Sequence, residues 1–263
     1  MLPRWITRFY LVYLTIPIAL LVIGSFGDIW FNTMLPSGFT LRWYVDVVAN
    51  PSFRRAFMAS LAVTAMACVV CVAIGLPLAY TIFRARNKVI RSTARILYQL
   101  PVALPPLVLA FGFILVFSSD ELPWLGSIWL LAAGHLVLGL PYFLQTVVAD
   151  MQRLGLNAME EAADSLGSSS WQRFAYVVVP SLRQSILAGL TIVAALSLGE
   201  FQFSNLIAGF LSRTYPVVLL QAFYAATGFA CAATVVLLML ALATAVAGGL
   251  ISEGAARMKS VAA

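Results

Sequence analysis

Six long apolar stretches, at residues 9–26, 56–83, 96–117, 127–148, 186–209 and 229–251, constrain this chain more than any motif in it. Each comes close to or exceeds the ~20 mostly apolar residues that a helix needs to cross the hydrocarbon core of a bilayer. Backbone amides in lipid must be satisfied inside their own segment, so runs of this length predict helices and not loops or open strands. Composition agrees: 62% of the 263 residues are hydrophobic, 10% are charged and the mean hydropathy is +0.96, whereas about a quarter of an ordinary soluble domain is charged. The expectation is an all-α integral membrane protein with six transmembrane helices, forming a single domain over residues 1–263.

The net charge of +6 is distributed as a topology signal. If the chain weaves across six times, Arg4, Arg8, Arg84, Arg86, Lys88, Arg91, Arg95, Arg153, Arg173, Arg183, Arg257 and Lys259 share one side, and only Arg42, Arg54, Arg55 and Arg213 fall on the other. The positive-inside rule then places both termini in the cytoplasm and residues 28–55 outside. Basic residues clustered beside apolar runs do not make a nucleic-acid surface, and none is expected. The first apolar run is longer than a signal-peptide core and no A-x-A site follows it, so it reads as an uncleaved anchor. Cys68, Cys71 and Cys231 lie within apolar segments with no second Cys pair or His beside them, and read as small hydrophobes and not as metal ligands.

One polar stretch interrupts this pattern: EEAADSLGSSSWQRFAYVVVP at residues 160–180. Asn157 and Glu160 have capping-box spacing, and Glu160 and Glu161 suit a helix first turn. Gly167 sits where a left-handed residue ends that helix. Ser168, Ser169 and Ser170 are candidate N-caps for a second helix, which Pro180 stops or kinks. Ala162 and Ala163 offer a small surface for close approach, and Trp171 with Phe174 an aromatic anchor. The bland alternative is a solvated connector.

The same stretch resembles the EAA loop of binding-protein-dependent ABC importer permeases, whose pattern is E-A-A, three residues, G, nine residues, I-x-L-P. Here Glu161-Ala162-Ala163, Gly167 and Val177-Val178-Val179-Pro180 stand in register, with Val177 for Ile and Val179 for Leu. The resemblance implies a type I importer permease fold in which residues 151–185 are a cytoplasmic coupling loop. Glu160, Glu161, Ala162, Ala163, Asp164, Gly167, Trp171 and Pro180 would carry contact with, or motion from, a cytoplasmic ATPase subunit. It also implies a second permease subunit, identical or paralogous, and an extracytoplasmic solute-binding protein. ATP would be used by the ATPase partner, and no cofactor would be bound by this chain, which contains no G-x-x-x-x-G-K-[ST] sequence.

For the translocation path, Glu200 is the leading candidate, because an ionisable residue inside a span is costly. Helical spacing puts Ser197, Glu200 and Ser204 on one stripe with Asn205 beside it; the alternative is that Glu200 caps a neighbouring helix or hydrogen-bonds across the bundle. The segment Ser197-Leu-Gly-Glu-Phe201 resembles S-L-G-E-F in permeases for thiamine, oxyanions, iron and aminophosphonates. His135, alone in the fourth span, reads as a hydrogen-bonded structural residue. Pro101, Pro105 and Pro106 predict a break at the start of the third span. Arg84 to Arg95 could also touch lipid headgroups.

Rival classes fit less well. An ion channel has no use for a coupling loop, an ion-driven secondary transporter is typically larger with internal repeats, and no catalytic or metal motif marks an enzyme. The solute expected from overall resemblance is small, charged and organic, as in the polyamine and aminoalkylphosphonate branch; iron, thiamine and sugar branches remain open.

Overall fold

Prolines decide where the long helices bend. The computed structural model describes residues 2–30, 33, 35–224 and 226–261, with side chains described for residues 5–250 of these. Arg4, Arg257 and Lys259 of the topology signal therefore lie outside the described side chains. Twelve helices follow one another in the described residues: α1 Leu2–Phe26, α2 Arg42–Ala49, α3 Pro51–Arg84, α4 Lys88–Ala103, α5 Pro106–Phe117, α6 Ile128–Arg153, α7 Leu156–Ser165, α8 Ser170–Ser181, α9 Arg183–Gly199, α10 Gln202–Ile207, α11 Tyr215–Ala222 and α12 Thr227–Val261.

Four helices are long and apolar enough to cross a membrane unaided: Trp5–Phe26, Pro51–Arg84, Ile128–Arg153 and Thr227–Leu250. Two bent pairs bring the number to six if each counts as one span: α4 with α5, bent by 100°, and α8 with α9, bent by 68°. The first bend lies at Leu104 and Pro105, as the proline run predicts, so the third span is two helices and not one. The second lies just after Pro180. At 34 residues, α3 is about 50 Å long at 1.5 Å per residue. One end of it therefore projects beyond the hydrocarbon core.

Prolines also explain two π-helical turns that hydropathy does not reveal, Cys71–Gly75 within α3 and Arg173–Val178 within α8. Each ends two residues before a proline, Pro77 or Pro180. Neither proline can donate to the carbonyl four residues back, and its ring crowds that carbonyl, so the preceding turn widens.

The expected fifth span, 186–209, is interrupted. Helix α9 stops at Gly199, Glu200 is extended (φ −72°, ψ 121°), and α10 starts afresh at Gln202. The end of α10 is pinned to the start of α6, where the Gly126 amide donates to the Ile207 carbonyl (3.1 Å) and the Gly209 amide to the Gly126 carbonyl (3.2 Å). Phe143, Leu144, Met151, Leu156, Val178, Leu182 and Val193 form a core cluster that ties the polar insertion to α6 and α9. A second cluster, around Val63, Leu130, Leu131, Phe203 and Ile207, surrounds the break at Glu200. All three cysteines are free; Cys71 and Cys231 are buried.

Candidate functional site: a capped lever and a buried polar chain

The polar insertion folds as helix, turn, helix. Its first helix begins two residues earlier than the Asn157 capping box requires. Gly155, left-handed at φ +62°, ends the preceding helix and serves as N-cap, so Asn157 caps nothing and no acidic residue lies in the first turn. Glu160 accordingly does not reach back to the backbone. It is buried at 6% exposure, and its carboxylate accepts from the Tyr80 hydroxyl and from Arg84 Nη1 at 3.3 Å, while Arg84 Nη1 also donates to the Tyr80 hydroxyl at 3.0 Å. The Tyr80 ring packs on Phe174 with centroids 5.3 Å apart. The end of α3 is thus latched to both helices of the insertion. A cleft of about 340 Å³ lined by Arg84, Arg86, Arg91, Glu160, Glu161 and Asp164, among others, opens beside the latch.

Gly167 is left-handed at φ +78°, as its position predicts. Its amide donates to the Asp164 carbonyl at 2.8 Å and the Ser168 amide to the Ala163 carbonyl at 3.2 Å, which closes α7. Ser169 caps α8 in a reciprocal capping box with Gln172. Asp164 pairs with Arg173 across the turn. Glu161 and Ala162 are exposed and Ala163 is half-buried. Leu166 and Trp171, at 89% and 71% exposure, stand out as uncovered apolar side chains on a polar unit, and Trp171 is braced by Phe174 at 5.9 Å. A Cβ at Gly167 would meet nothing within 4 Å, so the cost of replacing it lies in the backbone alone. Gly167→Val is expected to strain the turn by about 1 kcal/mol or more. Solute uptake by cells producing a normal amount of the variant should fall; unchanged uptake would remove the turn from the mechanism.

The second site lies inside the bundle. The helical stripe expected from Ser197, Glu200 and Ser204 does not exist as a stripe, because the helix breaks at Glu200, yet the three side chains meet. Glu200 Oε1 accepts from the Phe203 amide at 2.7 Å, and Oε2 from the Ser204 amide at 2.8 Å and the Ser204 hydroxyl at 2.6 Å. Both oxygens thus satisfy amides that the break frees at the start of α10. His135 joins the group: its Nε2 lies 2.9 Å from Ser204 Oγ and its Nδ1 2.7 Å from Ser197 Oγ, which in turn lies 2.9 Å from Thr64 Oγ1. A carboxylate only accepts, so Ser204 donates to Glu200 and accepts from His135 Nε2–H; with the imidazole neutral, Nδ1 accepts from Ser197, and Ser197 from Thr64. In that tautomer every proton in the chain points toward Glu200.

Asn205 is exposed on α10 and takes no part. Tyr80, Arg84 and Thr64 were not legible as site residues, because their partners stand 76 to 133 positions away. His135, expected to be hydrogen-bonded, is so at both nitrogens.

A model of the binding-protein-dependent transport system inner membrane component matches residues 71–252. Among curated proteins, the chain is 28% identical over 191 residues to PhnV of Salmonella typhimurium, named for 2-aminoethylphosphonate transport, covering 73% of this chain and 71% of that one. It is 30% identical to CysT, a sulfate transport permease of Escherichia coli, over 68% of each chain. It is 25% identical to PotC, a spermidine/putrescine transport permease of Escherichia coli, over 75% and 73%. Among solved structures, a chain of a bacterial alginate ABC transporter in complex with its periplasmic protein matches with TM-score 0.74 at 18% identity, over 95% of this chain and 91% of that one. The MetNI methionine transporter matches at TM-score 0.66 and 16% identity, over 78% and 96%.

Proposed function

The chain belongs to the family of binding-protein-dependent transport system inner membrane components and is a permease subunit of an ABC importer; on that premise we propose how it is driven and what it carries. The insertion from Leu156 to Ser181 is the lever on which a cytoplasmic ATPase subunit acts, through Glu161, Ala162, Asp164, Leu166 and Trp171, which are open to a partner. Glu160, Gly167 and Pro180 act from within, holding the lever's angle and its attachment. The observation that carries this reading is the latch of Glu160 to Tyr80 and Arg84, because a capped unit fastened to α3 as well as to α6 and α9 moves the membrane helices when it is moved.

The path runs past Ser197, Glu200 and Ser204, with Asn205 on its margin. A second permease chain completes it, an extracytoplasmic binding protein delivers the solute, and ATP is bound by the ATPase subunits and not by this chain. The termini and the lever lie in the cytoplasm, which the uneven distribution of basic residues supports. A thiol introduced at Ser37 should react with an impermeant reagent added outside intact cells and one at Ser169 should not; the reverse pattern would overturn this orientation.

The solute is small, charged and organic, in the class of aminoalkylphosphonates and polyamines; the names of PhnV and PotC support this class. The test is ATP hydrolysis by the reconstituted complex. Loaded binding protein should stimulate hydrolysis and uptake together. Uptake driven by an ion gradient without ATP would refute the reading.

A further inference from the structure

Between the bend of α4 with α5 and the break at Glu200 lies a cavity of about 180 Å³, lined on one side by Pro101, Val102 and Leu104 and on the other by His135, Ser197 and Glu200, with Tyr142 and Leu196 among its walls. We propose that this cavity is a binding subsite for a protonated primary amine. The proposal rests on the reading that solute passes Glu200, and deepens it by naming the chemical group recognised there.

The argument is one of donors and acceptors. Thr64, Ser197, His135 and Ser204 pass their protons along a single direction, each to the next and the last to Glu200. None of these groups keeps a proton to offer a ligand. Glu200 Oε1, by contrast, accepts one hydrogen bond and has capacity for another. The opposite wall is also a place of acceptors. Helix α4 ends at Ala103 with Leu104 as C-cap, and the next two residues, Pro105 and Pro106, lack the amides that ordinarily cap last-turn carbonyls. The negative end of a 16-residue helix therefore borders the cavity and favours a cation; the positive end of the shorter α5 lies there too, at Pro106, so the sign of the site is set by the Glu200 carboxylate.

The alternatives fail on the same inventory. An anion would meet the Glu200 carboxylate with no Lys or Arg among the lining residues to offset it, only the Tyr142 hydroxyl and the start of α5. A divalent cation takes six or more oxygens, or three to four nitrogen and sulfur ligands; here it would find a single carboxylate that already holds three donors, the last-turn carbonyls of α4, and an imidazole whose two nitrogens are both engaged by serines. An ammonium group brings three donors to Glu200 and the α4 carbonyls, which only accept, and its alkyl chain suits the Val102, Leu104, Leu138 and Leu196 side chains that line the rest.

The test uses the assembled complex in lipid nanodiscs and two fluorinated probes, 4,4,4-trifluorobutylammonium and its neutral isostere 4,4,4-trifluorobutanol, with binding followed by 19F NMR. The amine should bind at least tenfold more tightly than the alcohol. Glu200→Gln should bring the two to within about twofold of each other, and Leu196→Trp, which fills the cavity without touching the capped break, should abolish binding of both. Equal affinities in the parent, a preference retained in Glu200→Gln, or amine binding unaffected by Leu196→Trp would each overturn the proposal. Should Glu200→Gln fail to assemble, the parent and Leu196→Trp decide it. Stimulation of ATP hydrolysis by binding protein in the same sample reports separately on the importer reading, so a complex that couples but shows no preference for the amine refutes the subsite alone.

Discussion

Replacing Glu160 by Ala is expected to leave the complex assembled but poorly coupled, with at least tenfold more ATP hydrolysed per solute imported. The carboxylate is buried, at 6% exposure, and holds the Tyr80 hydroxyl and Arg84. Removing one partner of such a group costs about 3–5 kcal/mol when both are buried. Arg84 is half-exposed and can return to water, which discounts that figure. Even about 1.4 kcal/mol is a factor of ten in an equilibrium. That suffices to let the lever move without α3. The remaining contacts, from Leu156 and Val178 into the core cluster, keep the insertion folded, so the loss falls on transmission. Glu160→Gln should sit between parent and Ala, since the amide oxygen still accepts from Tyr80 while the charge opposite Arg84 is lost. Measuring hydrolysis and uptake on one reconstituted sample separates the effects. Equal loss of both, at unchanged ratio, would mean that Glu160 only stabilises the fold.

How much of this was legible in the sequence differs between the two sites for a physical reason. Gly167, Ser169 and Pro180 act on their own backbone within a few residues, and each needs a residue type that announces itself: positive φ, a short side-chain acceptor, a missing amide. They lie where the pattern puts them. The start of α7 was misplaced because Asn157 and Glu160 also satisfy a local pattern, while Gly155 makes a tighter turn earlier; once the helix begins at Leu156, Glu160 faces α3 instead of its own N-terminus. The break at Glu200 escaped because the polar residues from Ser197 to Asn205 interrupt the apolar run of 186–209 at a spacing that a continuous helix also satisfies. The signal that was present is a Gly-Glu pair with an acceptor side chain three residues ahead of Phe203, which is a capping arrangement made by an unusual capping residue. The meeting of Thr64, His135, Ser197 and Ser204 could not be read at all, because it depends on how α3, α6, α9 and α10 pack.

That packing predicts the second large effect. A Cβ built on Gly134 would lie 2.0 Å from Cε1 and Cζ of Phe203, a side chain with no exposed surface. Phe203 cannot easily yield. Its ring stands edge-on to Phe113 at 5.1 Å and to His135 at 6.4 Å, and its amide is held by Glu200. Forcing a methyl into such a space costs about 1–3 kcal/mol. Gly134→Ala should therefore lower the thermal stability of the purified complex by that order, and Gly134→Val by more. Phe203→Ala alone should also destabilise, by about 3–5 kcal/mol from the void it leaves. In the double variant the new methyl enters the space vacated by the ring, so the combined loss should fall short of the sum by at least about 1 kcal/mol. Strict additivity, or a stable Gly134→Ala complex, would show that α6 and α10 do not meet at this contact, and with it would go the close approach that brings His135 to Ser204.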